Sequence, residues 1–218
     1  MNIGNEIKNH QKELSIQITL GGYSFLIATD RLLSSGEVEN YDFDSKLKGF
    51  YSLSTLVKWS VPSVLIIPFE LFDHRYIDNY LLNASMLDKD KQRSLFAVRG
   101  NWAAVWSVDK NLYEYLNQRV PNAEHNHSLL SLLDESLNAP ALCIQIDSAS
   151  LLHIVLWSEY GLEAAHSVQI KSAEDILFYS SQLAQERAVE SPILHIRGSI
   201  EESTKELLSK YYTIKLEE

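Results

Sequence analysis

The sequence predicts an α/β protein built from two copies of one unit, and three observations in its 218 residues predict it. Each half opens on runs that alternate apolar and polar residues with period two, the mark of half-buried strands. Each then changes to helical spacing and returns to a short apolar run, the grammar of strands joined through a crossover helix. Finally, the halves align: Leu14-Ser-Ile-Gln-Ile18 falls on Leu142-Cys-Ile-Gln-Ile146, Ser45 on Ser172 and Pro62 on Pro192, at offsets of 128, 127 and 130. Three anchors in one order at nearly one offset point to an internal repeat.

The elements follow in order. Residues 1–13 form a polar N-terminal extension. Leu14–Leu20 alternates as a strand, Gly21-Gly22 turns the chain, and Tyr23–Ala28 returns, a hairpin signal. A third strand is expected near Val38–Asp44. From Ser45, the spacing of Leu47, Phe50, Leu53, Leu56 and Val57 predicts a helix, and Val61–Ile67 predicts a strand buried on both faces. Pro68 ends that strand and a helix to about Leu82 follows. Residues 84–93 read as a loop, and Leu95–Val98 and Trp102–Val108 as strands about Gly100-Asn101. Asp109 can cap a helix to about Arg119, and Ser128 begins another, with Leu129, Leu130, Leu132, Leu133 and Leu137 on its apolar face.

The second half repeats this grammar: strands at Ala141–Asp147, Leu151–Trp157 and Leu162–Ile170, a helix capped by Ser172 with Glu174 and Asp175 in its first turn, a strand at Pro192–Ile196, a helix at Ile200–Lys210 and a last strand at Tyr211–Leu216. The expected division is 14–139 for a first unit carrying extra strands and helices, and 140–218 for the second.

Composition sets limits on function. Apolar residues make up 45% and charged residues 22%, a globular balance. Lys and Arg are outnumbered 19 to 29 by Asp and Glu, for a net charge of −10. Nucleic-acid affinity leans on neutralising phosphates, so nucleic acid and anionic membrane are poor partners. The N-terminus lacks the apolar core of a signal peptide and no window reaches the length of a transmembrane helix; the expected location is the cytoplasm. A lone cysteine, Cys143, excludes an internal disulfide, and its apolar surroundings predict an inert buried thiol.

The order strand, strand, strand, helix, strand, helix is that of a ribonuclease H-like unit, and its tandem form is the actin-like ATPase architecture. Four stretches, Leu14–Phe25, Leu65–Phe72, Ser172–Tyr179 and His195–Ser199, resemble an uncharacterised domain-of-unknown-function family from Bacteroidetes in that class. The resemblance implies a bacterial protein with an actin-like ATPase fold and no assigned activity. Pilus-assembly proteins of the PilM type offer an analogy, since they use this fold as a platform for a partner peptide.

Actin-like ATPases hold Mg-nucleotide between their halves, so the resemblance names the positions to inspect. A retained site would use Gly21 and Gly22 in the first hairpin, Asp147 in the second, and Gly198 and Ser199 at the strand-to-helix junction of His195-Ile-Arg-Gly-Ser199. Each segment departs from the class pattern. The first hairpin presents Gln17 and Thr19 without a carboxylate. Asp147 is followed by Ala149 where a glycine is expected, and a β-carbon there obstructs the approach of backbone N–H groups to phosphate. The junction supplies one glycine where the class has two. Loss of one positioned group typically costs a factor of roughly 10²–10³ in rate. The expectation is a catalytically inactive scaffold that binds a protein partner, with no catalytic residues, no metal and no cofactor. The rival is a nucleotide-binding ATPase or phosphotransferase holding Mg-ATP in the cleft; a third reading is a small-ligand sensor using the cleft without hydrolysis. The oligomeric state is open.

Other constellations are weaker. A two-metal nuclease would need a carboxylate cluster, for which only Asp42, Asp44 and Asp147 offer themselves. His125-Asn-His127 would share one face of a strand, but without further ligands a solvated loop is expected. His10, His74, His153, His166 and His195 are scattered, and the four tryptophans lie in apolar runs that suit a core.

Overall fold

A computed structural model describes residues 13–20, 22–27, 31–36, 54–134, 140–147, 150–198 and 200–217. Three strands open the chain: β1 (Glu13–Thr19), β2 (Gly22–Ile27) and β3 (Arg31–Gly36). β2 pairs antiparallel with both β1 and β3. β4 (Ser54–Ser60) then lies parallel to β1, and β8 (Glu124–His127) lies parallel to β4, giving the order β3-β2-β1-β4-β8.

The second sheet has the same plan. β9 (Ala141–Ile146), β10 (Leu151–Ser158) and β11 (Gly161–Gln169) form the antiparallel start, and β12 (Ile193–Arg197) and β13 (Ile214–Glu217) are the parallel strands, in the order β11-β10-β9-β12-β13. These are two ribonuclease H-like units, and together they have the actin-like architecture. Helices α3 (Ala173–Glu186) and α4 (Glu202–Ser209) supply the crossovers of the second unit. Asp175 fixes the start of α3, its carboxylate accepting from the backbone N–H groups of Lys171 at 2.7 Å and Ser172 at 3.2 Å.

Between β4 and β8 the chain builds a third sheet, β5-β7-β6, from β5 (Val64–Pro68), β6 (Gln92–Arg99) and β7 (Trp102–Asp109). Helix α1 (Ile77–Asn83) precedes β6, and α2 (Lys110–Arg119) follows β7 and is capped by Asp109, whose Oδ1 accepts from Leu112 N–H at 2.8 Å.

Two apolar cores result. Leu142, Ile144, Leu152, Ile154, Leu156, Leu194 and Ile196 face Ile176 and Leu183 of α3 and Leu208 of α4. Alternate residues on the other face of that sheet, Cys143, Val155 and Trp157, join the core of the first unit. Leu129, Leu130 and Leu132 are fully buried within that core, and each adds roughly 1.5–3 kcal/mol by burial. Both faces of β9 and β10 are therefore covered, which is why β10 is buried from Leu151 to Trp157.

Several expectations are corrected here. The third strand is Arg31–Gly36; Val38–Asp44 lies outside the described residues, as do Ser45 and the start of the expected first helix. Leu56 and Val57 belong to a strand, because Thr55, Val57 and Trp59 alternate on the face of β4 that packs into the core of the first unit. β4, not Val61–Ile67, is thus the crossover strand of the first unit; the latter run contributes β5 to the third sheet, antiparallel to β7. The match of Pro62 with Pro192 fails for the same reason. The true match follows from register: Gln17 stands beside Lys58 as Gln145 stands beside Arg197. His125-Asn-His127 is a strand rather than a loop, and the leucine-rich segment that begins at Ser128 is 3-10 helical as far as Asp134. The expected polar extension ends one residue early, since Glu13 opens β1.

Candidate functional site

The carboxyl ends of the parallel strands are where open α/β sheets place their ligands, and the sequence candidates fall there. Gly22 opens β2 directly across from Thr19, the last residue of β1, whose hydroxyl donates to the Gly22 carbonyl at 3.2 Å. Asp147 follows β9 and is 8% exposed. Its Oδ1 accepts from Leu151 N–H at 3.0 Å, its own N–H donates to Leu151 O at 3.1 Å, and its carbonyl accepts from Ser150 N–H at 3.2 Å. One carboxylate oxygen thus serves the hairpin between β9 and β10, as Asp commonly does in turns. Gly198 follows β12 at φ +84°, a left-handed conformation that suits glycine even though a β-carbon would meet nothing within 4 Å. Asp147 and Gly198 end neighbouring strands of the second sheet, and Gly22 lies at the matching edge of the first. Gly21 and Ser199 lie outside the described residues, as do Ala149, Asp42 and Asp44.

A buried polar network bridges the two units at these ends. Ser60, the last residue of β4, lies 2.8 Å from His153 Nε2 through its Oγ; His153 Nδ1 lies 2.7 Å from Ser167 Oγ on β11. The ring of His127, at the end of β8, meets His153 edge-on at 5.7 Å between centroids. His127 Nε2 is 3.0 Å from the Val61 carbonyl, so Nε2–H donates there, which leaves Nδ1 to accept from Leu129 N–H at 3.1 Å. Burial lowers the His127 pKa to about 3, and it holds His153 well below the ordinary histidine value, where a second proton would also stand against His127 and Lys58. Both rings are neutral. Ser60-His153-Ser167 has the connectivity of a nucleophilic triad, yet Ser60 and His153 are wholly buried, so no substrate reaches Oγ. The network acts as a bolt between the units.

Next to the bolt lies a second constellation, on the face of β4 opposite to Val57 and Trp59. Lys58 projects from the same face of β4 as Ser60 and stands between Gln17 and Asn126 on the flanking strands. Its counterpart Arg197 reaches across to the first unit, donating from Nη1 to Ser131 O at 2.8 Å, and Ser131 Oγ donates to Gln145 Oε1 at 3.2 Å. Burial first, then the charges of Arg197 and Arg99, lower the Lys58 pKa.

Three further features lie away from these ends. His125 packs between Trp59, whose Nε1–H donates to His125 Nδ1 at 3.0 Å, and Tyr113; burial lowers its pKa to about 4. A groove of 380 Å³ runs beside α1 and β6, lined by Asp78, Lys89, Arg93, Ser94 and Lys110. Cys143 is buried and its thiol is pushed up to about 12, chiefly by burial. Among the described residues no group of three or more His, Cys, Asp or Glu side chains could hold a metal ion, and no helix is long and apolar enough to cross a membrane.

The sequence reading missed the bolt, because its members come from strands 93 residues apart and each looks ordinary alone. The period-two spacing of His125 and His127 was the one local signal. The Gln17–Lys58 and Gln145–Arg197 match becomes visible only after the crossover strand is placed.

Comparison with known proteins agrees with this architecture. The chain superposes on a Bacteroides thetaiotaomicron protein with an actin-like ATPase fold and unknown function, at a TM-score of 0.76 with 18% identity, covering 99% of this chain and 94% of that one. It also superposes on the cytoplasmic domain of EpsL, an inner-membrane component of the type II secretion system of Vibrio cholerae, at 0.54 with 13% identity, covering 95% and 86%. At these identities the likeness speaks for the fold. No curated protein matches the chain. Residues 56–213 match the family described as protein of unknown function DUF3822, and the chain belongs to that family.

Proposed function

We propose that this protein is a catalytically inactive actin-like scaffold, working in the cytoplasm, whose third sheet docks a protein partner. The observation that carries the reading is a run of uncovered apolar side chains on that sheet and its approach. Phe69, Leu71, Tyr76, Phe96 and Val98 are each at least 41% exposed. Phe96 and Val98 alternate on one face of β6, an edge strand, and the Phe72 ring packs 5.3 Å from that of Phe96. Clustered apolar and aromatic surface of this kind marks protein interfaces, and an edge strand adds unpaired backbone groups for a partner to use.

Support for inactivity comes from the strand ends. Thr19 stands where the fold class has its first carboxylate. Asp147 gives one carboxylate oxygen to a backbone turn, and the Ser60–His153 contact ties the units together beside these strand ends. The duplicated units, 14–139 and 140–218, then serve as a frame that presents the inserted sheet. EpsL, a component of the type II secretion system, shows this fold in a member of an assembly.

The rival, a nucleotide-dependent enzyme, draws on one observation, the adjacency of Asp147 and Gly198 at neighbouring strand ends. The scaffold reading is tested by affinity capture from the native host with the wild-type chain and with Phe96→Asp/Val98→Asp. A protein held by the wild type and lost from the variant, with the circular dichroism of the two chains alike, is the expected result. Retention of every captured protein by the variant would contradict it.

A further inference from the structure

The groove beside α1 and β6 gathers positive charge on a chain of net charge −10. Three cations line it, each from a different element: Lys89 from the turn before β6, Arg93 from β6 and Lys110 from the start of α2. Among the described residues none of the three makes an ion pair, and neither ammonium has a hydrogen-bond partner. Arg93 is held by the ring of Tyr113, whose centroid lies 4.6 Å from the guanidinium carbon. That contact fixes the side chain without neutralising it. Gln92 adds a donor: its Oε1 accepts from Asp88 N–H at 2.8 Å, which leaves its amide nitrogen to donate. Among the described residues one acid lines the groove, Asp78, and its Oδ1 accepts from Ser94 Oγ at 2.6 Å. Asp88 stands 3.7 Å from Lys91 and Asp109 caps α2; neither lines the groove.

The groove adjoins the exposed apolar surface of the third sheet. Ser94 is two residues from Phe96 on one face of β6, roughly 7 Å along a strand. Ile77 and Asp78 directly follow the exposed Tyr76. We propose that this groove takes the acidic flank of the docked partner: a segment whose apolar side chains sit on Phe69, Phe96 and Val98 and whose Asp or Glu side chains, a few residues away, meet Lys89, Arg93 and Lys110. This rests on the third sheet being the docking surface. The three cations are exposed, so each ion pair is weak alone and screened by salt. A free anion in so open a groove keeps its water and gains little. Carboxylates carried by a segment already anchored on apolar surface arrive at high local concentration, so the same weak pairs count. They select the partner and hasten its encounter more than they add affinity. The net charge of −10 repels an acidic segment in other orientations, so the groove also sets its direction along β6.

A displayed library of random peptides, selected on the full chain, tests the inference. The wild type should enrich peptides that pair an apolar or aromatic core with Asp or Glu a few residues to one side. Lys89→Glu/Lys110→Glu, two exposed changes checked by circular dichroism, should bind these peptides about tenfold or more weakly. A fresh selection on that variant should replace the acids with Lys or Arg. Arg93→Gln should weaken the wild-type peptides in the same direction. Their binding should fall as sodium chloride rises, and the fall should flatten in the charge-reversed chain. Phe96→Asp/Val98→Asp separates the two readings. Peptides lost from that variant but kept by the charge-reversed chain leave the docking surface standing and overturn the acidic flank. Peptides kept by Phe96→Asp/Val98→Asp overturn both. The inference also fails if the wild-type selection yields no peptide family with acids beside its apolar core, or if inorganic phosphate displaces the peptides at constant ionic strength. It fails too if a second copy fills the groove, seen as a dimer that the charge-reversed chain does not form.

Discussion

His127 and His153 carry one proton each in the folded protein because their surroundings leave no room for a second. The Nε2–H of His127 is committed to Val61 O and its Nδ1 to Leu129 N–H, while both nitrogens of His153 face serine hydroxyls. His125, half-buried against Trp59, is likewise held neutral. In the unfolded chain these rings take up a proton near pH 6.5. Below that value the unfolded state binds more protons than the folded one, so stability falls as pH falls, down to about 4 for His125 and about 3 for His127. Each ring contributes a slope of about 1.4 kcal/mol per pH unit inside its window. Urea unfolding at pH 7.5 and pH 5.5 should show a clearly lower midpoint at the acid pH, and equal midpoints would contradict neutral burial. The sequence showed the spacing of His125 and His127 but not the burial that gives it meaning, since burial comes from Trp106, the leucines after Ser128 and a strand of the other unit.

At the scale of elements, hairpins and capped helices were legible and the parallel strands less so. The period-two runs at Leu14 and Leu142 and the caps at Asp109 and Ser172 act locally, through side-chain alternation and backbone N–H groups within a turn. β4 was misread because Leu53, Leu56 and Val57 imitate helical spacing, whereas Thr55, Val57 and Trp59 point inward only once β1 and β8 lie on either side. Val61–Ile67 looked like the crossover strand because it is continuously apolar, but its run pairs with β7 in a sheet that the repeat does not contain. The caps allow a quantitative test. Asp109→Ala removes the acceptor for Leu112 N–H, at the start of a helix that buries Leu112 and Leu116 in the first core, and should destabilise the chain by about 1 kcal/mol. Chemical denaturation measures it; an unchanged midpoint would show that another group takes over the cap.

For the whole molecule, two sheets of one strand order give a frame in which β9 and β10 of the second sheet are buried on both faces and the third sheet stands outside that shared order. The shared strand order was legible because the strand of Leu14 and that of Leu142 carry the same alternation. The offset that held there did not hold at the crossover strand, since the chain between the third and fourth strands is shorter in the first unit than in the second. The candidate nucleotide positions were legible only as places; what the side chains do there depends on contacts across the junction. Asp147 supports a turn, Ser60 meets His153, and Lys58 faces cations. The proposal is thus a separation between a frame with the actin-like ATPase fold, which holds no Mg-nucleotide, and an outer surface that docks a partner.

Isothermal titration of Mg-ATP into the wild-type chain and into Asp147→Ala tests this separation most directly. The account predicts no magnesium-dependent binding in either protein, so that any heat is the same with and without magnesium and the same in both chains. Saturable micromolar binding that requires magnesium and disappears in Asp147→Ala would contradict it.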